Sequence, residues 1–580
     1  MARPLHLNER QPSPSEPNKP RYLSSFRRSH VFVRSLDDSL SFSEIEIRFS
    51  DAIRCRKVHH LQRVMAELEQ LLGLFVAALF LAAAARRVGA PYPVFLALGG
   101  GLLAFLPGAR PFNIPPEVVL ALFVAPVLLD AAYDASLRDL RENWAPVAGL
   151  VIFAVGLTTA AVALVVHLLV PAMPWAAAIA AGAIVAPPDA VAATAVLRPM
   201  RPPHRIMTVL EGESLLNDAS ALIIYRLAVT AVASSGFSIG AVAPTFLFAV
   251  AGSVVVGPLL GSLLMRVMER VQHIPTATIL SFLSVLGVWL LAERLRLSAV
   301  LTVVCCAIWV ARTAPERTPA RMRIPTYAVW DTVVFALNIL AFIFIGLQLR
   351  PIWERLAAGD RTRYLAVAGA VLVTVIVVRF AWHMSFNAVV RWRHRRVGFN
   401  PPRPMLRPTV GSGLVISWAG MRGIVSVAAA LALPSAFPYR DLIVLTAFSV
   451  VLGTLVIQGL TLKPLLRALN LQDNDPVGQE VIAARERALS AGLGSFAHDS
   501  SPVCESVRIE LSGYLANRQT NSDTDTTMNS ERNRIYRGAL RAARQEIITM
   551  RANEEIGDDA FHQIEEELDR LDIGVASERA

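Results

Sequence analysis

"AIAAGAIVAPPDAVAATAV", residues 178–196, is a run of small apolar residues interrupted by Pro187, Pro188 and Asp189. Proline has no amide hydrogen and its ring crowds the carbonyl four residues back, so the carbonyls of Ala183 and Ile184 lose their helical donors here. An aspartate then stands where a second half-helix would begin. At mid-bilayer such a residue costs at least ~2.5–3.5 kcal/mol, and unpaired backbone is tolerated there only where protein or a watered cavity satisfies it. The stretch therefore reads as a discontinuous helix at membrane depth. Asp189 either caps the second half or faces a polar cavity, and the residues alone leave both open.

The surrounding chain fits a bilayer. Of its 580 residues 54% are hydrophobic and only 18% charged, too apolar a balance for a soluble protein of this size. Roughly thirteen apolar runs of about 17–25 residues recur between Leu71 and Leu465. The expected fold class is an all-α polytopic membrane protein. A second interrupted run, "GSGLVISWAGMRGIVSVAAALALP", spans Gly411–Pro434 and carries Gly411, Gly413, Gly420, Gly423 and the lone Arg422. The two interruptions fall in the fifth and twelfth runs. That spacing suits two inverted six-helix repeats joined by a central span, with two broken helices crossing near the midplane.

Loop charge sets the orientation. One alternating set of loops, around Arg86, Arg138, Arg198–Arg205, Arg266–Arg270, Arg312–Arg323, Arg391–Arg407 and Lys463–Arg467, holds about 21 basic residues against about 8 in the other set. The C-terminal tail is therefore expected in the cytoplasm and the protein in the plasma membrane as a multi-pass chain. Residues 65–467 form the transmembrane domain and 468–580 a small helical cytoplasmic tail. Residues 1–64 carry twelve basic against seven acidic residues and would have to be translocated. They are expected to be a disordered extension or an upstream mis-start, with Met65 as the true start. Lysine is nearly absent beside arginine (Lys19, Lys57 and Lys463), a composition that suggests a GC-rich bacterial genome.

The next run, "GESLLNDASALIIYR" (Gly212–Arg226), puts Glu213, Asn217 and Asp218 among Leu, Ile and Ala. Glu213 and Asn217 are four apart, as are Ser214 and Asp218, so they form adjacent rows on one side of a helix. Such a side supplies carboxylate, hydroxyl and amide oxygens, the ligands a partly dehydrated hard cation prefers. The competing reading is a buried ion-pair network that holds helices together, and it stays open for Glu213 and Asp218. Arg379 and Arg422 are then the available counter-charges for Glu213 and for Asp130, with a charge-neutralising structural role for both arginines.

Other classes find little support. Cys55, Cys305, Cys306 and Cys504 have no metal-ligand spacing. No nucleophile constellation accompanies the carboxylates, and His167 and His383 stand alone, so an enzyme is not expected. A channel would need a repeated carbonyl filter or a ring of charge, and neither is visible. No cofactor and no nucleic-acid partner is implied.

Together "FVAPVLLDAAYDASLRDLRENW", "APPDAVAATAV", "EGESLLNDASALIIY", "WDTVVFALNILAFIFIGLQL" and "WAGMRGIVSVAAALALP" resemble, in order, the sodium/proton antiporters of the cation:proton antiporter superfamily, in the branch of bacterial NhaP and animal NHE exchangers. The resemblance covers roughly Leu71 to Arg467. It implies that Asp218 is the main carboxylate for cation and proton, with Asp189, Glu213 and Ser214 lining or supporting the site. Asp218, Asp189 and Ser214 would hold the transported ion. Asn217 is the neutral neighbour that in this family accompanies electroneutral one-for-one exchange. The resemblance also implies sodium or lithium as the cation, a role in pH and sodium homeostasis, and a homodimer. A potassium/proton exchanger of the same architecture is the alternative. Two departures bear on ion selectivity: Pro188-Asp189-Ala190 replaces the common Thr-Asp-Pro, and Asp130 replaces a common glutamate.

Overall fold

The computed structural model of the chain describes residues 72–106, 115–136, 143–200, 202–233, 239–398 and 409–471, with isolated positions near Met65 and Arg138 and between 490 and 549. The expected N-terminal extension and most of the expected cytoplasmic tail lie outside the described residues. The regular structure of the described residues is helical throughout. Two compact units divide the chain, Met1–Ala84 and Ala85–Ala580. The first contributes a helical stretch over residues 72–84.

The helices of the second unit are α1 (Tyr92–Ala104), α2 (Pro116–Asp134), α3 (Pro146–Leu169), α4 (Trp175–Val185), α5 (Ala190–Leu197), α6 (His204–Ala233), α7 (Ile239–Met268) and α8 (Ile274–Arg294). They continue with α9 (Ala299–Arg317), α10 (Ala320–Leu347), α11 (Leu349–Arg355), α12 (Arg361–Val397), α13 (Val410–Trp418), α14 (Ile424–Leu431) and α15 (Arg440–Leu469). Nine helices among the described residues are long and apolar enough to cross a membrane. Two more, Tyr92–Ala104 and Ala299–Ala314, are apolar but shorter. The glycine-rich run divides into the short pieces α13 and α14, so a count of helices by length falls below the count of apolar runs.

Local chemistry fixes several ends. Ser298 caps α9 by accepting from the Leu301 amide, and Thr409 forms a reciprocal capping box with Ser412 at the start of α13. Helix α15 stops at Asn470 in the left-handed conformation, φ 44°, which asparagine tolerates better than most residues. Single π-helical turns interrupt α2 at Leu120–Val124 and α3 at Gly149–Ala154. Such turns displace the side chains that follow and recur at functional sites.

In water an outer surface this apolar would aggregate; in a bilayer it meets hydrocarbon. Leu247, Val255 and Leu259 on α7 and Val373 and Val377 on α12 are all exposed. Inside, helices approach closely through small residues, the device that replaces hydrophobic driving force between membrane helices. At Gly346 of α10 any Cβ would collide with the Ala97 carbonyl and the Gly101 amide of α1. Around the two interruptions, α4 packs on α3 and α6, α12 packs on α3, α13 and α15, and α14 packs on α4 and α15.

Candidate ion-binding site

The interruption between α4 and α5 is held by bonds that leave its own helix. The Asp189 amide donates to the Met421 carbonyl across 2.6 Å, and the Ala190 amide donates to Ser214 Oγ at 3.2 Å. These are the amides that would have bonded the carbonyls of Val185 and Ala186 in a continuous helix. Those two carbonyls accept instead from Arg422, from Nε at 3.0 Å and from a terminal nitrogen at 3.2 Å. The diverted amides of Asp189 and Ala190 thus leave two further carbonyls without helical donors, beyond those of Ala183 and Ile184 that the prolines deprive. Arg422 also bonds the Gly420 carbonyl, and its amide donates to Thr454 Oγ1 on α15 at 3.1 Å.

Arg422 thus saturates itself on backbone at both breaks and is 1% exposed. Among the described residues it makes no ion pair, so the expected counter-charge role toward Glu213 or Asp130 gives way to one as a cap. The guanidinium has donors for three carbonyls and a planar fork to reach them. Arg379 does meet a carboxylate. It binds Glu213 in two parallel hydrogen bonds of 2.5 and 2.8 Å, with both side chains buried. Its remaining reach goes to the Ser417 and Ile416 carbonyls at the end of α13, each at 3.2 Å.

A cavity of about 400 Å³ opens beside the breaks. Asp218 and Ser214 of α6, Asp189 at the head of α5, Asp130 and Asp134 of α2, Glu211, Arg198, Tyr92, Asn338, Gly423 and Ser426 contribute to its wall. Of the residues singled out in the sequence, Asp218, Asp189, Ser214 and Asp130 therefore share one space. Asp130 belongs to the cavity wall and has no ion pair among the described residues, a correction to its expected place beside an arginine. Glu213 and Asn217 do not line the cavity. The Arg379 grip turns Glu213 away from the cavity, the geometry of the ion-pair reading that the sequence left open beside a ligand role. Asn217 Nδ2 donates to the Pro188 carbonyl at 3.0 Å, while its Oδ1 is buried without a partner.

Asp189 also caps α5, accepting from the Val191 amide at 2.8 Å, and its carboxylate lines the cavity as well. The two readings left open by the sequence hold together. Gly423 explains how the carboxylate fits: a Cβ there would collide with Asp189 Oδ2. Asp134 carries a sequence signal of its own, four residues beyond Asp130 on the same helix face. Asn338 and Ser426 had none, since each is a lone polar residue in an apolar run. At the rim Arg198 pairs with Glu211 at 3.2 Å, both substantially exposed. Carboxylate and hydroxyl oxygens around a small space suit a hard cation, and each carboxylate also takes a proton.

Residues 74–468 match the family model for the transmembrane sodium/hydrogen exchanger. The chain belongs to the sodium/hydrogen exchanger family. An uncharacterized Na(+)/H(+) exchanger of Mycobacterium tuberculosis is 31% identical over 84% of this chain and 92% of its own length. The sodium, potassium, lithium and rubidium/H(+) antiporter of Bacillus subtilis is 27% identical over 83% of this chain and 74% of its own. Among solved structures, the sodium proton antiporter MjNhaP1 from Methanocaldococcus jannaschii at pH 8 superimposes with a TM-score of 0.53 at 17% identity, covering 70% of this chain and 99% of that one. That likeness bears on the fold, and the family membership makes this exchanger-family chain a cation/proton antiporter.

Proposed function

We propose that this exchanger-family protein trades external protons for cytoplasmic Na+ or Li+, one for one, with Asp218 as the shared carrier. The observation that supports this reading is the convergence of Asp218, Asp189 and Ser214 on one cavity beside two mutually bonded helix breaks. A carboxylate there holds a proton or a cation and not both, so competition itself couples the fluxes. Asn217 beside Asp218 is a neutral amide, which leaves a single unpaired carboxylate on α6 to change charge; this favours electroneutral exchange. Two inverted six-span halves, rocking around a site that changes little, would supply alternating access. The cavity rim at Arg198 and Glu211 lies at the end of the helices that loop charge assigns to the cytoplasm. Plasma-membrane pH and sodium homeostasis, a homodimer and a cytoplasmic C-terminus complete the proposal.

A potassium-accepting exchanger is the second reading, favoured by the breadth of cations in the name of the Bacillus subtilis relative. Everted vesicles carrying the protein, with a proton gradient reported by fluorescence dequenching, decide between them. Dequenching by sodium and lithium and not by potassium supports the first reading. Equal dequenching by potassium supports the second, and no dequenching by any of the three overturns both.

A further inference from the structure

A second cavity of about 210 Å³ lies away from the ion cavity, between α3, α6, α12 and the first turn of α13. Two of its wall residues are basic, Arg205 and His383, and none is acidic. Arg205 is half-buried and forms no hydrogen bond or ion pair among the described residues. His383 is 4% exposed, and its buried Nδ1 has no partner. The other buried arginines, Arg379 and Arg422, are saturated with acceptors. A buried polar group without a partner costs stability; the His383 ring nitrogen is one, and the half-buried Arg205 guanidinium lines the same acid-free space, so the pair points to an absent acceptor.

The depth of the cavity says what kind. Trp144 and Trp392 are both strongly exposed, and tryptophans of that sort settle at the headgroup level of a bilayer. They stand two residues from Pro146 and Val390, which line the cavity. Phosphate groups occupy that level, and a guanidinium fork matches their oxygens. Phe386, Val390 and Ile416 add apolar surface to the wall beside the polar Asn387, Thr409, Ser412 and Asn470, a mixed lining suited to the glycerol and first methylenes of a lipid.

We infer that Arg205 and His383 form a binding site for a phosphate group, presented at the membrane surface by an anionic lipid. The site bears on the ion-binding helices. Arg205 shares α6 with Asp218, and His383 follows one turn after Arg379, which grips Glu213 on that same helix. Ile416 lines the cavity and gives its carbonyl to Arg379. An occupant would brace the junction of α6, α12 and α13.

The test is thermal melting of the full-length protein in neutral phosphatidylcholine, in phosphatidylcholine containing phosphatidylglycerol, and in phosphatidylcholine with inorganic phosphate against chloride at equal ionic strength. A ligand that binds the folded state raises the melting temperature by mass action. Wild type should melt several degrees higher with phosphatidylglycerol, and Arg205→Gln and His383→Gln should each lose most of that rise. A similar rise with inorganic phosphate would mean that the site takes any phosphate; its absence there assigns the source to lipid. Val390→Trp fills the cavity without removing either basic group and should abolish the rise, which keeps the test intact if a charge variant does not fold. Arg396→Gln, whose guanidinium lies over Trp392 on the same helix, should keep it. No rise from either phosphate source, or a rise that Val390→Trp retains or that Arg396→Gln equally removes, overturns the inference.

Discussion

The Asp189 amide and the Met421 carbonyl lie 2.6 Å apart, so the two helix breaks are hydrogen-bonded to each other and not to their own helices. Gly423 follows two residues later, with its backbone extended at φ −130°, a conformation open to any residue. Its constraint is contact: a methyl group would strike the Asp189 carboxylate. Gly423→Ala is therefore expected to fold and express normally while the cation concentration for half-maximal exchange rises about tenfold or more, equivalent to ~1.4 kcal/mol of displaced binding. Vesicle exchange measured beside size-exclusion profiles checks this, and unchanged cation affinity would sink it.

Gly182 makes the opposite prediction from a similar crowding. A Cβ there would meet the backbone carbonyl of Thr159 on α3, which cannot swing aside as a side chain can. Gly182→Ala should push α4 from α3 and lower yield and melting temperature. Exchange per folded molecule should change less than in Gly423→Ala.

The buried pair of Arg379 and Glu213 is held by two short bonds with both side chains out of solvent. Removing one partner strands the other charge, a loss of about 3–5 kcal/mol in soluble proteins, whereas replacing both with apolar residues of similar size is often nearly neutral. Arg379→Met and Glu213→Leu are expected to fail in expression singly. The double variant should recover part of the yield, though the Ile416 and Ser417 carbonyls would then lack a donor. A double variant no better than either single one would show that Arg379 acts through those carbonyls instead.

How far the sequence reached follows from the kind of interaction. The two broken helices were legible because proline and clustered glycine act on their own backbone, whatever surrounds them. The i, i+4 row of Ser214 and Asp218 was legible because helix geometry is local, and both reach the cavity. Partner choice was not. Arg422 and Arg379 each looked like a counter-ion, and only the crossing of α4, α5, α13 and α14 decides that one meets carbonyls and the other a glutamate. Asp130 was misplaced for the same reason, since its helix belongs to a different part of the chain from the residues it faces. Asn338 and Ser426 became visible only through the cavity they share.

Arg422 gives a prediction that separates a cap from a counter-ion. A counter-ion role would be preserved by lysine, which keeps the charge. A cap on the carbonyls of Val185, Ala186 and Gly420 needs the planar fork, which a single ammonium cannot imitate. Arg422→Lys is therefore expected to lose much of its melting temperature and yield, approaching Arg422→Ala. A lysine variant of wild-type stability would restore the counter-ion reading.

The last prediction concerns acidity. If Asp218 carries proton and cation in turn, protons compete with the cation at equilibrium, and acidification cannot lower the maximal rate once cation is in excess. In the acid range, where the proton holds the site, each unit fall in pH should raise the half-saturating sodium concentration by up to about tenfold. Asp218→Asn cannot exchange a proton and should lose both flux and pH dependence while remaining folded. Asp189→Asn keeps an acceptor oxygen for the Val191 amide, so α5 should stay capped; its half-saturating sodium should rise with the slope against pH retained. Flux recorded over a grid of sodium and pH separates these cases. Sodium affinity independent of pH in the wild type, or exchange surviving in Asp218→Asn, would remove Asp218 from the carrier role and move attention to Asp130 and Asp134 across the same cavity.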